Sequence, residues 1–197
     1  MTDIGTMALS DITRLKVNRG EAMRYLGVKE DDCSLTELLD QGETDALSVS
    51  SPRAVYVKVP IAVEGKTVDF GFMKVESERL VKNLEGCNEA YVFCATLGIS
   101  ADRHYEKLAR ISQARAAVFS ASCSSLIESF CDYVNGELAR DKRCKPRFSC
   151  GYGDFCIKHQ ADILNVLEAS KRLGVCLTDS YMMVPVKTVT AVIGIRR

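Results

Sequence analysis

The sequence contains no tryptophan, only two histidines and four prolines among 197 residues, and no net charge, because 26 Lys and Arg balance 26 Asp and Glu. A chain without net charge has no overall attraction to nucleic acid or to an anionic membrane surface, so we expect neither as a partner. The sequence has no run of about 18 apolar residues, the length needed to cross a membrane. Its first residues do not have the pattern of a signal peptide. We therefore expect a cytoplasmic protein.

Common catalytic and metal-binding patterns are also missing. His104 and His159 lie in no Ser/His/Asp or metal-ligand pattern, and we propose neither as a base. The nine cysteines include no Cys-x-x-Cys pair, and the spacing of Cys144, Cys150 and Cys156 matches no zinc or iron–sulfur motif. The odd number of cysteines in the whole chain argues against complete disulfide pairing, so we expect mostly reduced thiols. A metal site and a redox thiol stay as alternatives to simple packing of small side chains.

In the first half of the chain, the apolar pattern predicts two short helices followed by a β-hairpin. A helix from Glu21 to Leu26 ends at Gly27, and a second helix begins at the capping box Ser34-Leu35-Thr36-Glu37. The hairpin is predicted from strand-like alternation of Val55, Val57 and Val59, with a turn at Glu64-Gly65 into a strand from Thr67 to Val75. Ser77 then caps a helix that runs through Leu84 and ends at Gly86.

The second half predicts longer elements. We expect a buried strand from Ala90 to Ala95, two helices between Asp102 and Arg140 that meet near residues 111–113, an amphipathic helix from Ile157 to Leu173, and a strand from Lys187 to Ile195. Small side chains at residues 116–125 permit close approach of either another helix or a ligand.

Helices and strands thus come in blocks, which favours an α+β fold with a largely antiparallel twisted sheet and flanking helices. We expect a single domain, 1–197; a small N-terminal lobe, 1–86, beside a core, 87–197, is the alternative.

The segment from Arg147 to Asp154 combines features that suit a zwitterionic ligand. The Arg147 guanidinium can hold a carboxylate in two parallel hydrogen bonds, and Gly151 and Gly153 let the backbone come close to a ligand. The residues alone favour a turn that carries a surface salt bridge, with a ligand site as the alternative.

This segment resembles the activation domain of vitamin B12-dependent methionine synthase in its short stand-alone form, whose Arg-x-x-x-Gly-Tyr signature is matched by Arg147, Gly151 and Tyr152. The resemblance covers about residues 20–195 and is strongest from residue 87. It extends to residues 96–98 (TLG), 102–103 (DR), 127–132 (IESFCD), 173–180 (LGVCLTDS), 183–185 (MVP) and 186–195 (VKTVTAVIGI).

The resemblance implies binding of S-adenosylmethionine and reactivation of cobalamin whose cobalt has become Co(II), by one electron and a methyl group. It implies that Arg147 clamps the methionyl carboxylate, that Glu128 faces the cationic end of the ligand, and that Ser149, Gly151 and Tyr152 line the pocket. Glu128 and Asp132 are four residues apart in a predicted helix and would share one face.

The expected partners are a cobalamin-binding methionine synthase, or another corrinoid protein, and an electron donor. The chain has no Asp-x-His-x-x-Gly loop of the kind that binds cobalamin, so a partner would supply this cofactor in trans. The resemblance leaves open whether the protein is itself an enzyme.

Two departures from that family support a different function. Cys150 stands where the family usually has a proline, and the chain stops at Arg197, before a segment that gives the fused enzyme another aromatic contact with the ligand. The alternative is an activation or docking partner of another corrinoid methyltransferase that does not itself bind S-adenosylmethionine. An ordinary methyltransferase is disfavoured because no strand is followed by a Gly-x-Gly turn near the start.

Overall fold

A computed structural model of the protein describes residues 3–28, 35–140 and 142–196. Strands and helices alternate in blocks along the chain. The strands are β1 (Ile4–Ala8), β2 (Arg53–Pro60), β3 (Ala62–Glu64), β4 (Thr67–Asp69), β5 (Lys74–Glu76), β6 (Cys87–Thr96), β7 (Cys176–Leu177), β8 (Met183–Val184) and β9 (Thr188–Arg196). The α-helices are α1 (Arg19–Leu26), α2 (Thr36–Val49), α3 (Glu78–Asn83), α4 (Ile99–Ile111), α5 (Gln113–Ala139), α6 (Gln160–Val166) and α7 (Ala169–Leu173).

A four-stranded antiparallel sheet with the order β1-β2-β6-β9 forms the centre of the molecule. Strand β6 lies inside the sheet, where Val92 stands opposite Val57 on one side and opposite Val192 on the other. The sequence therefore predicted the fold class correctly: an α+β arrangement built on an antiparallel sheet with helices beside it.

Both faces of this sheet are covered, because successive side chains of a strand point to opposite faces. Phe93 and Ala95 of β6 are buried in a cluster with α1, α2, α4 and α5. Val92 and Cys94 are buried in a second cluster with the small β3-β4-β5 sheet, α3, α6 and α7. The protein thus has two cores, one on each face of the main sheet.

Several predicted helix ends are confirmed by their local hydrogen bonds. Gly27 closes α1 in the left-handed conformation, with φ of 70°. The Ser77 side chain accepts a hydrogen bond from the Leu80 amide at the start of α3. Ser112 separates α4 from α5, in the region predicted for the junction. Helix α2 begins at Thr36, within the predicted capping box. Ser34, the first residue of that box, lies outside the described residues.

Two predicted elements were wrong. Val55, Val57 and Val59 do lie on one buried face, but β2 pairs with β1 and β6 and forms no hairpin with the following segment. The turn after Glu64 instead joins β3 to β4 in the separate small sheet. The amphipathic helix from Ile157 to Leu173 is broken into a 3-10 turn, α6 and α7, because Glu168 takes the left-handed conformation with φ of 49°.

The small side chains at residues 116–125 allow helices to pack closely. A Cβ atom on Gly42 of α2 would lie 2.8 Å from Cγ1 of Val118 and 3.0 Å from Oγ of Ser122, both on α5. This near-contact of two helices supports the packing interpretation of the small-residue segment.

Strands β1 and β2, from the N-terminal half, belong to the same sheet as β6 and β9. The division into a lobe, 1–86, and a core, 87–197, stays a prediction. Within the described ranges, no helix combines the length and the apolar character needed to cross a bilayer.

Candidate functional site

Arg147 lies in an extended segment, residues 143–148, that runs antiparallel to the outer edge of β9. The Lys145 amide donates to the Gly194 carbonyl at 2.8 Å, and Phe148 and Val192 exchange two backbone hydrogen bonds of 2.9 Å each. Side chains in an extended segment alternate between faces. Phe148 is accordingly buried in the core beside α6 and α7, whereas Arg147 contacts α5.

The Arg147 guanidinium is held by two carboxylates of α5. Its Nη2 contacts Glu128 Oε2, and its Nη1 contacts Asp132 Oδ1. The Arg147 side chain is 22% exposed, and the two carboxylates differ, with 34% exposure for Glu128 and 71% for Asp132. Glu128 and Asp132 therefore share one helix face, as their spacing predicted.

The two ion pairs fix the charge of this cluster. Partial burial acts to lower the pKa of Arg147, but hydrogen bonds to Asp132 and Glu128 outweigh it and raise the pKa above its ordinary value. The guanidinium is thus always protonated, and an anionic group can approach it only beside, or in place of, one of these carboxylates.

Ser149, Gly151 and Tyr152 form a compact turn directly after Arg147. The Gly151 amide donates to the Phe155 carbonyl at 2.8 Å, and the Tyr152 amide donates to the Ser149 carbonyl at 3.2 Å. Gly151 has φ of 84°, which a residue with a side chain rarely adopts. The Tyr152 ring is 63% exposed. The Tyr152 ring packs against Phe148, with 5.4 Å between ring centroids, whereas Arg147 contacts α5. The role of Ser149, Gly151 and Tyr152 in lining a ligand pocket stays a prediction.

Asp154 anchors the end of this turn to α3, a connection that the sequence analysis missed. Its carboxylate accepts hydrogen bonds from the Ser77 hydroxyl at 2.5 Å and from the Glu78 amide at 2.7 Å. The hydrogen bond from Ser77 is the main cause that lowers the pKa of Asp154. Burial opposes it, and the hydrogen bond from the Glu78 amide lowers the pKa further. No local pattern could reveal this contact, since Ser77 and Asp154 are 77 residues apart.

A second missed residue is Tyr25 of α1, whose ring is 54% exposed. Partial burial, followed by the negative charges of Glu21 and Glu128, raises the pKa of its phenol. Tyr25 lies on α1, which packs against α5, the helix that carries Glu128.

The cysteines near the signature are not arranged as a metal site. In residues 3–28, 35–140 and 142–196, no group of three His, Cys, Asp or Glu side chains could hold a metal ion. Burial raises the pKa of Cys150 to about 12, which outweighs the hydrogen bond with Thr190 that lowers it. The raised pKa favours a neutral, packed thiol at Cys150 and argues against a reactive thiolate at this position.

Comparisons by sequence match no protein-family model and no curated protein. Comparison with solved structures finds a crystal structure of the MetH reactivation domain bound to AdoHcy, which is similar to this chain with a TM-score of 0.69 and 15% sequence identity. The likeness covers 98% of this chain and 78% of that chain. At this identity the likeness concerns the fold, and the chain has the fold of the MetH reactivation domain.

Proposed function

We propose that this protein binds S-adenosylmethionine and supports the reductive methylation of cobalamin carried by a partner methionine synthase. The observation that carries the proposal is the Arg147 cluster, in which a partly buried guanidinium faces two carboxylates at the edge of the main sheet. The solved domain of the same fold is bound to AdoHcy, the demethylated counterpart of S-adenosylmethionine, which supports a related ligand for this chain.

The residues present fit the two charged ends of such a ligand. Arg147 already donates to two carboxylates, one through each terminal nitrogen, and the same two nitrogens could donate in parallel to a methionyl carboxylate. Glu128 is a carboxylate within the same cluster and offers a counter-charge for an ammonium or sulfonium group. Within the protein, Glu128 and Asp132 thus pair with Arg147 as the carboxylate of the ligand would. Arg147 in turn pairs with Glu128 as the cationic end of the ligand would.

Within this proposal, each residue has a physical task. Arg147 would orient the ligand through its carboxylate, and Glu128 would hold the opposite charge a few ångströms away. The turn of Ser149, Gly151 and Tyr152 would keep the backbone close to the ligand, anchored through Asp154 to α3. Bound S-adenosylmethionine would supply the methyl group, and the protein would supply its placement relative to the partner. The cytoplasm is the proposed location, and an electron donor is a further proposed partner.

The first test is a calorimetric titration of S-adenosylmethionine, and of AdoHcy, into the reduced protein. We expect saturable binding by the wild type and loss of binding by Arg147→Ala. Arg143→Ala is a matched control, since it removes an exposed arginine from the same edge segment. We expect this variant to bind like the wild type.

The titration is then repeated in the presence of a cobalamin-loaded methionine synthase, followed by an assay of cobalamin methylation. Stimulation that requires Arg147 supports the full proposal. If neither ligand binds in either format, the proposed ligand-presenting function is wrong.

One observation favours a second candidate function, a docking partner of another corrinoid methyltransferase without S-adenosylmethionine binding. Glu128 and Asp132 already occupy both terminal nitrogens of Arg147, so the cluster is also complete as an internal salt bridge. In that case, the protein would bind a corrinoid protein with equal affinity in the presence and absence of S-adenosylmethionine, and Arg147→Ala would chiefly lower stability.

A further inference from the structure

A cavity of about 530 Å³ lies away from Arg147, where the first turns of α4 meet α5 and the segment that leads into β9. This volume is within the range of about 300–1,000 Å³ typical of small-molecule sites. The cavity walls are mainly apolar and aromatic, formed by Ile99, Tyr105, Phe119, Val184 and Val186. Except for Phe119, these side chains are exposed on the free surface and would be covered by a ligand.

The polar part of this cavity contains the ammonium of Lys187. Its Nζ donates hydrogen bonds to the hydroxyls of Ser120, at 3.0 Å, and Ser124, at 2.8 Å. The Ser124 hydroxyl itself donates to the Ser120 carbonyl at 3.0 Å, so its lone pairs are directed to Lys187. The two serines therefore hold Lys187 in one position, as acceptors without charge.

The positive charge of Lys187 has no direct counter-ion in the part of the chain that the structure describes. None of the ion pairs there includes it, and no third acceptor receives its remaining N–H. Burial lowers the pKa of Lys187, and the effects of Cys123 and Asp102 only partly oppose this. A partly buried ammonium without a carboxylate is costly unless an anion completes it.

Asp102, which also lines the cavity, is already bonded to the backbone. Its Oδ2 accepts a hydrogen bond from the Val186 amide at 2.8 Å, which ties the segment before β9 to α4. Burial raises the pKa of Asp102, and its carboxylate forms no direct ion pair with Lys187 among the described residues. Glu106 also lines the cavity and is exposed. The cavity thus combines one partly buried cation, Lys187, with mainly apolar walls and an exposed carboxylate.

We propose that this cavity is a second binding site, which takes a small amphipathic anion: a carboxylate or phosphate that pairs with Lys187, joined to an apolar body that covers Ile99, Tyr105 and Val186. The partly buried Lys187 ammonium and the enclosing apolar walls support this site, and none of these residues belongs to the Arg147 cluster. It goes beyond the proposed function, and it holds or fails independently of it.

The test uses octanoate and octyl phosphate as probes, with uncharged octan-1-ol as the control ligand. We expect saturable binding of at least one anion by calorimetry, accompanied by NMR shift changes of the Ser120 and Ser124 amides. Lys187→Met keeps the side-chain length without the charge and should weaken anion binding on the order of tenfold or more. A thermal melt establishes that this variant is folded.

A second pair of variants avoids the buried lysine. Val186 is 62% exposed at the rim, so its substitution should not disturb folding. We expect Val186→Glu to weaken anion binding and Val186→Lys to strengthen it, while Arg147→Ala leaves it unchanged.

Three results would overturn the proposal. These are the absence of binding of both anions to the wild type, equal binding of octan-1-ol, and shift changes confined to residues outside the cavity. If the exposed rim instead binds only a protein partner, the probes fail and the proposal is wrong.

Discussion

Substitution of Asp132 by Asn tests whether an internal carboxylate competes with the ligand for Arg147. Asp132 contacts Nη1 of Arg147 and is 71% exposed, whereas Glu128 contacts Nη2 and is 34% exposed. A ligand carboxylate that binds Arg147 through two parallel hydrogen bonds must displace at least one of them. Asp132 is the easier one to displace, because water can solvate it in its new position. Asn keeps the shape of the side chain and removes its charge.

The expected size of the effect follows from this exposure. Exposed ion pairs contribute about 0–1 kcal/mol, and a ligand that replaces such a pair loses that amount from its own binding free energy. Asp132→Asn should therefore tighten binding of AdoHcy or S-adenosylmethionine by a factor of up to about five. The free energy of unfolding of the ligand-free protein should fall by no more than about 1 kcal/mol.

Glu128→Gln is the matched variant and should have the opposite effect. It also frees one nitrogen of Arg147, but it removes the charge proposed to face the cationic end of the ligand, so binding should weaken. Calorimetry of both variants at low and high salt measures the two signs, and salt should reduce the gain from Asp132→Asn. Equal or weaker binding by Asp132→Asn would show that the ligand carboxylate does not replace Asp132, and the reasoning would be refuted.

Three further predictions concern the turn beside Arg147. Asp154→Ala should lower stability in urea denaturation at neutral pH; because the pKa of Asp154 is lowered in the folded state, this difference should shrink as the pH falls below the ordinary value of 3.8, and a difference independent of pH would contradict it. Iodoacetamide at pH 8 should modify the exposed Cys176 well before Cys150, whose pKa is raised to about 12, as mass spectrometry of digested protein would show; early modification of Cys150 would mean that the turn opens readily. Gly153→Ala should cost about 1–3 kcal/mol in thermal or urea unfolding, since Gly153 has φ of 63° and a Cβ there would lie 2.4 Å from Cδ of Arg79; an unchanged midpoint would show that this turn rearranges freely.

The sequence predicted structure best where the deciding interaction is local. Gly27 closes α1 and Ser77 caps α3 through atoms only a few residues away, and both ends were predicted correctly. Strand partners are different, because alternation shows which face of a strand is buried but not which strand lies beside it. For this reason Val57 was assigned to a hairpin, although its partner in β6 is Val92. The break at Glu168 was missed because the apolar spacing continues across it, with Leu164, Leu167 and Leu173 all buried.

The candidate site shows a similar limit of the sequence. The resemblance selected Arg147 and Glu128 as ligand contacts, and helix spacing put Asp132 beside Glu128, but neither signal could show that these carboxylates contact Arg147 itself. A partly buried guanidinium requires counter-charge whether or not a ligand is present. The protein satisfies this requirement with two carboxylates of α5. Binding of the proposed ligand would therefore be an exchange of carboxylates, and its affinity would be the difference between two similar interactions. The sequence can therefore select candidate residues such as Arg147, while the affinity of the proposed site would depend on a long-range contact that only the fold defines.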